Sequence, residues 1–416
     1  MMTPHLDQLD ALPADQRWPQ ARAWIAARNR AFYAELRVHC PVLALPQLTL
    51  VSRYAHCAQV LRRHDLYGVD LYRPKQGPYW MAQDDTAEHW RDKSVMRAIL
   101  NREDVPAMRR FVARETAQRL EAARGSIDYV WHIGRGVPIA LVQRFFSFAD
   151  ADPRRMADWS WWNQQDAFHN QPFDDVTAAE SDRITAERHR AGREMARFLS
   201  KELLQHIPKV KLGLGGDDPM SRLLRLSFSG GLDHFGLRRV VMNVGGLLIG
   251  AVETTAHATA NALAFLMAHP PIWADARVAA LHEDPARFDG YVWEALRFVP
   301  AFPWFFRTAQ AGATLGGVPG DVGPEALALG RTVLALTAAA MFDPEVFPEP
   351  ERFEPGRGWR DGFTFGQGIH ECLGRAVAEA MLPEMVRQMA RLDGLEAGPM
   401  QWKGGVPDRW DLRWRD

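Results

Sequence analysis

Apolar residues recur every three to four positions along most of the chain, a spacing that predicts a mainly helical protein. The first such stretch covers residues 18–38. Pro383 lies inside the last such stretch, residues 373–391, where a kink or break of the helix is expected. The other predicted helices lie near residues 54–64, 87–100, 105–124, 136–149, 153–169, 178–206, 219–226, 235–268, 271–283, 289–298 and 373–391.

Three stretches depart from this helical pattern. Residues 46–53 form a short β-like patch after Pro46, and residues 299–335 are strand-rich and broken by glycines. Residues 341–362 are rich in proline, glycine and charge, which predicts an ordered loop. No internal repeat or low-complexity linker marks a boundary. The sequence therefore predicts a mainly α protein with small β-sheets, folded as one large domain over residues 1–416.

Composition and charge narrow the classes of function. Of the 416 residues, 47% are hydrophobic and 24% are charged, with a formal net charge of -1, so the chain is neither disordered nor built for nucleic acid over its whole surface. Three cysteines are too few for a disulfide framework. The N-terminus lacks a signal-peptide pattern, and the longest apolar run, Val240–Val252, is interrupted by Asn243. A soluble, cytoplasmic protein with no membrane anchor and no nucleic-acid partner is expected.

The segment FTFGQGIHECLG, residues 363–374, carries the strongest chemical signal. Cys372 stands just before a predicted helix, whose positive N-terminal end favours the thiolate, the form that binds metals. Gly366 and Gly368 allow a tight turn and a close approach to a flat partner, and Gly374 removes bulk beside them. Two alternatives remain: Cys372 as a buried structural residue, and a zinc site, for which only His370 offers a second ligand nearby.

The pattern Phe365-Gly366-x-Gly368-x-His370-x-Cys372-x-Gly374 resembles the haem-binding signature of the cytochrome P-450 family. The resemblance implies a P-450-type domain that encloses haem b, with the thiolate of Cys372 as the axial iron ligand. It also implies haem contacts from the rest of the signature, namely Phe365, Gly366, Gly368, His370 and Gly374.

Glu294-Ala295-Leu296-Arg297 is similar to the family's E-x-x-R motif, and Arg297 lies 75 residues before Cys372. Residues three apart share a helix face, so this carboxylate and guanidinium can pair. Pro350-Glu351-Arg352-Phe353 resembles the family's meander motif. By resemblance, Glu294, Arg297 and Arg352 form a buried structural triad beside the cysteine loop.

Gly250-Ala251-Val252-Glu253-Thr254-Thr255 is similar to the family's oxygen-activation motif. By resemblance, Thr254 and Glu253 deliver protons during catalysis. A threonine inside a helix also bonds back to the preceding turn and can bend the helix. Ala251 replaces the usual glycine of the motif, which leaves open how far the helix opens locally. The alternative is that Glu253 and Thr254 are ordinary helix surface.

Haem carries two propionates, which need cations or hydrogen-bond donors. By resemblance the candidates are His89, Lys93, Arg307 and His370. Lys93 replaces the arginine of the family's H-x-x-x-R pattern and keeps the charge without the bidentate fork. Arg97 is an alternative to Lys93, and a solvated surface charge is the alternative for each candidate.

The resemblance implies a haem-thiolate monooxygenase that inserts one oxygen atom from dioxygen into an apolar small molecule. A peroxide-dependent oxygenase, or a haem-thiolate isomerase or dehydratase, is the alternative, and the Glu253–Thr254 pair favours the monooxygenase. A haem sensor or electron carrier belongs to a different class and is the weakest option. A serine hydrolase finds no support, because no G-x-S-x-G motif occurs.

No reductase motif, flavin fingerprint or iron–sulfur cysteine set is present, so NAD(P)H is expected to act indirectly, through a ferredoxin reductase and a ferredoxin. Residues 90–124 hold five acidic side chains and nine basic ones, a net charge of +4, which favours an acidic ferredoxin. Arg357, Arg360 and Arg375 flank the cysteine loop. A solvated helix face is the alternative. The nine basic residues are Arg91, Lys93, Arg97, Arg102, Arg109, Arg110, Arg114, Arg119 and Arg124.

By resemblance the pocket is lined from residues 72–85, 159–175, 245–254 and 299–305, which are rich in aromatic side chains. The candidate pocket residues are Trp80, Ala251, Val299, Phe302 and Trp304.

Overall fold

The computed structural model describes residues 3–230, 235–317 and 324–415. Helices dominate this part of the chain, as the sequence predicts. In chain order they are α1 (Pro4–Ala11), α2 (Ala14–Ala26), α3 (Arg30–His39), α4 (Tyr54–Arg62), α5 (Arg73–Gln76), α6 (Ala87–Ile99), α7 (Val105–Ala123), α8 (Gly136–Phe145), α9 (Pro153–Phe168), α10 (Ala178–Lys211), α11 (Pro219–Phe228), α12 (Leu237–Ala251), α13 (Glu253–Met267), α14 (Pro270–Leu281), α15 (Ala286–Phe298), α16 (Thr337–Ala340) and α17 (Arg375–Ala390).

Shorter helical turns of other types join these helices. Three are 3-10 turns, at Trp80–Ala82, Arg102–Asp104 and Gly368–His370. Val130–Arg135 is a π-helical turn that runs directly into α8. A π turn is rare and is found mostly as a single wide turn at functional places.

The strands are short. In chain order they are β1 (Val42–Ala44), β2 (Thr49–Val51), β3 (Tyr67–Gly68), β4 (Ser126–Asp128), β5 (Phe305–Ala309), β6 (Thr314–Leu315), β7 (Glu325–Ala326), β8 (Thr332–Ala335), β9 (Glu396–Ala397), β10 (Gln401–Lys403), β11 (Val406–Arg409) and β12 (Asp411–Arg413).

The chain divides into two compact units, each made of two separate segments. The first unit holds Met1–His89 and Trp293–Cys372, and the second holds Trp90–Val292 and Leu373–Asp416. Two of the three boundaries between these segments fall inside α6 and α15, and the third lies between Cys372 and Leu373. That residues 1–416 form a single domain stays a prediction.

The first unit is built on a five-stranded sheet in the order β1-β2-β8-β5-β3. Strand β2 pairs parallel with β8 and brings Leu50 opposite Leu334, whereas β5 pairs antiparallel with β8. The core on this sheet includes Tyr67, Phe342 and Phe363. Phe363 is the first residue of the cysteine segment, so the sheet core holds the start of that loop.

The second unit is a helical assembly. Helix α13 contacts the π-helical turn and α17, α7 lies along α17, and α10 lies along α9 and α12. The tail after α17 completes this unit, because β12 pairs with β4 and with β9, and β10 and β11 form a hairpin. Pairing within the tail and with β4 explains why so short a segment is ordered.

Three helical predictions need correction. Residues 18–38 form two helices, α2 and α3, because Arg28 between them adopts a left-handed backbone with φ of 54°. Residues 235–268 also form two helices, which are separated at Val252. Of the kink or break expected at Pro383, the break does not occur, since α17 runs from Arg375 to Ala390 through that proline.

One stretch of the described residues, Leu237–Met267, is long and apolar enough to cross a membrane by those two measures alone. It comprises α12 and α13, and 61% of its most apolar 18-residue window is buried. Such burial is typical of the core helices of a protein.

Candidate functional site

The cysteine loop is held by its own backbone. The amide of Cys372 donates to the carbonyl oxygen of Phe365 at 2.9 Å, and the amide of Gly366 donates to that of Phe363 at 2.9 Å. Cys372 is exposed and is not part of a disulfide. Helix α17 begins at Arg375, slightly later than the sequence predicts. The loop therefore places the Cys372 thiol just ahead of a helix N-terminus.

Two glycines of the loop have positive φ angles, 67° at Gly366 and 76° at Gly368, as a tight turn requires. A Cβ on Gly368 would collide with the carbonyl oxygen of Leu61 and lie 3.0 Å from the Cα of Arg62, so glycine there permits packing on α4. A Cβ on Gly366 would meet nothing closer than Phe305, at 4.0 Å, so space remains at that position. Gly374 has a φ of -79°, which any residue can adopt.

Phe365 lies in an aromatic cluster that the sequence does not reveal. Its ring centroid is 5.7 Å from that of Trp293 and 5.8 Å from that of Trp359, and the two tryptophans stack at 4.6 Å. Trp293 immediately precedes Glu294 on α15. The cluster packs the cysteine loop against α15 and against the long loop that precedes the cysteine segment.

Arg307 is a buried cation with an incomplete set of partners. Its side chain lies on β5, and the residue is 6% exposed. Nη1 donates to the carbonyl oxygen of Phe306 at 2.8 Å, and among the described residues no carboxylate oxygen lies within 4.0 Å of its guanidinium. Burial lowers the pKa of Arg307, because the charged form loses its hydration.

His89 and His370 lie together in the same unit. Their rings meet edge to face at 5.1 Å, and Nδ1 of His89 lies 3.0 Å from the carbonyl oxygen of Trp80. Nε2 of His370 is 3.7 Å from Oδ1 of Asp84, beyond hydrogen-bond distance. Burial lowers the pKa of His370 to about 4, against the opposing effect of Asp84. His370 is therefore neutral near pH 7.

Lys93 lies one helical turn after His89 on α6 and is only 2% exposed. Such burial excludes the alternative of a solvated surface charge for Lys93. Arg97, the alternative propionate ligand, is exposed. The lysine is therefore the better candidate of the two.

These side chains fit the haem that the sequence pattern implies. A buried guanidinium with no carboxylate in contact is costly, and a ligand that carries carboxylates would relieve that cost. Arg307 and His370 offer donors to such a group from the first unit, the same unit that holds the Cys372 thiol. The space at Gly366 suits a flat partner.

The Glu294–Arg297 pair is buried, and its geometry is complete. Nε and Nη2 of Arg297 donate to the two carboxylate oxygens of Glu294 at 2.9 and 2.7 Å. The same guanidinium donates to the carbonyl oxygens of Met341 and Pro350 at 3.0 and 2.8 Å. This network joins α15 to the end of α16 and to the loop that follows.

The prediction that Arg352 is the third member of the triad is wrong. Its side chain donates to the exposed Glu349 at 3.1 Å, and the residue that reaches Glu294 is Arg357, whose Nε donates to Oε1 at 3.2 Å. The reason is the course of the loop. The carbonyl oxygen of Arg352 accepts from Arg297 at 3.4 Å and from Arg357 at 3.2 Å, so the backbone of Arg352 faces the network and its side chain faces solvent.

The acid–alcohol pair lies where α12 gives way to α13. Val252 separates them with φ of -89° and ψ of -69°, directly after Ala251. Oγ1 of Thr254 donates back to the carbonyl oxygen of Gly250 at 2.6 Å, as expected for a threonine that bends a helix. The helix is therefore interrupted even though alanine replaces the usual glycine.

Glu253 is buried and paired with a cation that the sequence does not reveal. Nε of Arg135, at the end of the π-helical turn, lies 2.8 and 3.0 Å from the two carboxylate oxygens. Burial raises the pKa of Glu253, and Arg135 opposes that shift. Arg135 also donates to the carbonyl oxygens of Pro407 and Asp408 in the hairpin. The alternative of an exposed helix surface is therefore wrong for Glu253.

Several basic side chains in the segment of α6 and α7 form ion pairs within the protein. Fewer of them are therefore available to a partner than the composition implies. The guanidinium of Arg109 makes two bonds to Asp289, at 2.8 and 2.6 Å, and one to Glu384 at 3.1 Å. Arg119 pairs with Glu115, and Arg357 belongs to the Glu294 network. The exposed cations of the segment are Arg97, Arg102, Arg110, Arg114 and Arg124.

The candidate pocket residues differ in their surroundings. Trp80 is fully buried with its ring against His89, at 5.5 Å between centroids. Trp304 packs edge to face on Trp18 at 6.1 Å, a contact with α2. Phe302 is half-buried near Phe305, Val299 is buried, and Ala251 ends α12. Their roles toward a substrate stay a prediction.

The chain resembles known proteins in sequence. The family model described as Cytochrome P450 matches residues 288–389. The chain is 27% identical over 401 residues to luteothin monooxygenase of Streptomyces thioluteus, covering 91% of each chain. It is 25% identical over 332 residues to 6-deoxyerythronolide B hydroxylase of Saccharopolyspora erythraea, covering 78% of this chain and 74% of that one.

Solved structures share the fold. Cytochrome P450 CYP109B1 from Bacillus subtilis superposes with a TM-score of 0.74 at 18% identity, covering 92% of this chain and 98% of that chain. The predicted mainly α fold with small sheets is thereby confirmed.

Proposed function

The chain belongs to the cytochrome P450 family and is a P450 monooxygenase, and on this premise we propose that it inserts one oxygen atom from dioxygen into an apolar small molecule. The family implies haem b as the cofactor, which supplies the iron centre at which dioxygen is activated. The electrons come from NAD(P)H by way of a separate ferredoxin reductase and ferredoxin, and the protein works in the cytoplasm.

In this proposal each site residue has a definite task. The Cys372 thiolate would hold the haem iron, and Arg307, His370, His89 and Lys93 would hold the haem carboxylates by charge and hydrogen bonds. Glu253 holds a proton inside the protein, and the hydroxyl of Thr254 passes it on by hydrogen bonding. Glu294, Arg297 and Arg357 keep the loop around Cys372 in place.

The observation that carries the proposal is the interrupted turn at Val252. It combines a buried acid, Glu253, with the alcohol of Thr254 on adjacent residues. An enzyme that reduces dioxygen must deliver protons to it, whereas an enzyme that uses peroxide receives the oxygen already reduced. The turn therefore supports the monooxygenase over the peroxide-dependent alternative.

The experiment that tests this assignment compares Thr254→Ala with Thr254→Ser. Thr254→Ala should keep its haem but divert NAD(P)H electrons into hydrogen peroxide, and Thr254→Ser, which retains a hydroxyl, should divert far fewer. Peroxide and product are measured per NAD(P)H consumed. Full coupling in Thr254→Ala would reject the proton-delivery role and raise the peroxide-dependent reading.

A second experiment tests the iron ligand. The reduced, CO-bound protein should show the red-shifted Soret band of thiolate ligation, and Cys372→Ser should lose it. Cys57→Ser is the matched control, because Cys57 is a free cysteine buried in the sheet core. An unchanged band in Cys372→Ser would contradict the assignment.

The substrate class is proposed from the relatives. Several act on macrolides by name, for example the erythromycin C-12 hydroxylase of Saccharopolyspora erythraea, 27% identical over 355 residues. Large apolar lactones are therefore the first compounds to screen, by the change that a bound substrate causes in the haem absorption spectrum. If lactones left the haem spectrum unchanged while smaller apolar compounds shifted it, the proposed substrate class would be wrong and the smaller compounds would replace it.

For the redox partner we propose an acidic ferredoxin that docks on the exposed cations of α6 and α7. Charge steering weakens with salt, because the Debye length is about 8 Å at physiological ionic strength. Arg110→Glu/Arg114→Glu should slow haem reduction at low salt and flatten its salt dependence. Arg193→Glu/Arg197→Glu is the control, since these arginines are exposed and equally spaced on α10. Equal loss in both pairs would reject this docking face.

A further inference from the structure

Two neighbouring glutamines on α9 bind backbone carbonyls of different elements. Gln164 and Gln165 are each 4% exposed. Nε2 of Gln164 donates to the carbonyl oxygen of Ile249 at 2.7 Å, and Nε2 of Gln165 donates to that of Gly404 at 3.1 Å. One glutamine therefore holds the end of α12, and the other holds the hairpin of β10 and β11.

The carbonyl that Gln164 binds is one that a continuous helix would use. In an unbroken α-helix the carbonyl oxygen of residue 249 accepts from the amide of residue 253, which here is Glu253. The interruption at Val252 breaks this series of backbone hydrogen bonds, and side chains donate to its carbonyl oxygens instead. Ile249 accepts from Gln164, and Gly250 accepts from the hydroxyl of Thr254.

We propose that Gln164 is a positioning residue that keeps the helix open at the acid–alcohol pair. By donating to the Ile249 carbonyl it satisfies the acceptor that would otherwise draw the Glu253 amide back into the ladder. Gln164 acts only through this carbonyl and touches no reacting atom. The inference rests on the proposed role of Glu253 and Thr254 in proton delivery.

The open turn is then held at three points. Gln164 holds Ile249 from α9, Thr254 holds Gly250 from α13, and Arg135 holds the Glu253 carboxylate from the π-helical turn. Glu253 and Thr254 are themselves part of the motif, and Arg135 fixes only the acid. Of the two side chains that donate to ladder carbonyls, Gln164 is thus the one that comes from another helix, α9, and lies outside the motif.

The test replaces Gln164 with methionine, which keeps the length and loses the donor, and uses Gln165→Met as the matched control. A part-buried carbonyl left without its donor costs free energy, so the Glu253 amide should close onto it. Hydrogen exchange at the Glu253 amide should slow by roughly fivefold, the equilibrium worth of about one net hydrogen bond. Gln165→Met should leave that exchange rate unchanged.

The second measurement is coupling to product. Gln164→Met should form more peroxide per NAD(P)H while its substrate affinity, read from the haem spectrum, stays the same, a split that a general loss of structure would not produce. Unchanged exchange and coupling in Gln164→Met, or equal changes in Gln165→Met, would overturn the inference. If Gln164→Met does not fold, Gln164→Ala is measured instead.

Thr254→Ala, measured in parallel, separates this inference from the function on which it rests. If Thr254→Ala is fully coupled, the proton-delivery role fails, and amide exchange alone decides whether Gln164 opens the helix. If Thr254→Ala is uncoupled and Gln164→Met is not, the proposed function stands and the role of Gln164 is wrong.

Discussion

Arg297 and Arg307 are ten residues apart in the same unit and equally buried, at 5% and 6% exposure, yet their surroundings differ. Arg297 makes two bonds to the carboxylate of Glu294 and further bonds to backbone carbonyls. Arg307 donates to one carbonyl and has no carboxylate within 4.0 Å among the described residues. Among the described residues, one cation is in contact with a carboxylate, and the other is not.

The difference separates a structural charge from a binding charge. Burying a guanidinium costs several kcal/mol, which a carboxylate and carbonyls can offset. For Arg297 the chain provides that offset itself, so its role is to hold the loop. For Arg307 the only carboxylate effect within the described residues is that of Asp84, which is not in contact, so the carboxylates of haem would complete the offset. The following predictions test this contrast, from the largest expected effect to the smallest.

Glu294→Gln should be the most damaging change. It leaves both Arg297 and Arg357 beside a neutral amide, and breaking one side of a buried ion pair costs about 3–5 kcal/mol. Urea unfolding of the haem-free protein measures the loss. Glu349→Gln is the control, because Glu349 is exposed and pairs only at the surface with Arg352. A loss below 1 kcal/mol in Glu294→Gln would contradict the structural role, about 1 kcal/mol being the limit for a surface pair.

Arg307→Met should have the opposite sign in the absence of haem. Replacing an unneutralised buried charge by an apolar side chain should leave the haem-free protein as stable as before or more stable, by about 1–3 kcal/mol. Haem should then dissociate faster from the variant. The two readouts are unfolding of the haem-free protein and transfer of haem to an excess acceptor. A large loss of stability without haem would show that Arg307 has the same role as Arg297.

Arg357→Gln and Arg352→Gln sharpen the same comparison within the loop. Losing the Arg357 side chain removes one of the two cations on Glu294 and should cost about 1–3 kcal/mol. Losing the Arg352 side chain removes an exposed pair with Glu349 and should change stability by no more than about 0.5 kcal/mol. Urea unfolding of both variants decides. The reverse order would restore Arg352 as the third member of the triad.

Glu253 should give the smallest effect, which is a dependence of the free energy of unfolding on pH. Burial raises its folded pKa above 4.5, so as pH rises past 4.5 the unfolded chain loses this proton before the folded protein does. Stability should therefore fall from pH 4.5 up to the folded pKa and be level above it. Glu253→Gln should lack that slope, whereas Glu121→Gln, at an exposed position, should keep it. Parallel pH profiles of wild type and Glu253→Gln would contradict the shift.

Local sequence is a good guide to this molecule wherever the physics is local. The Glu294–Arg297 pair follows from helical spacing, the positive φ angles of Gly366 and Gly368 follow from the turn they make, and the Thr254 back-bond is a property of threonine in a helix. The identity of the third triad member depends on which way a loop residue faces, and spacing carries no information about that.

The missed residues lie far away in the sequence. Arg135 is 118 positions before Glu253, and Gln164 is 85 positions before Ile249. A buried acid does predict that some cation must face it, but 50 lysines and arginines are candidates. The docking segment shows the converse problem. Its charge count is right, yet Arg109 is engaged by Asp289 and Glu384, which only the fold brings to it.

The π-helical turn Val130–Arg135 makes the number of residues in this segment as important as their identity. A π turn holds about one residue more than an α turn, and one residue rotates a helix by about 100°. Deleting a single residue from this turn would restore ordinary helix and swing Arg135 away from Glu253. Divergence here should therefore tolerate many substitutions but few insertions or deletions, so the segment is a length-constrained part of a chain whose relatives are only distantly similar in sequence.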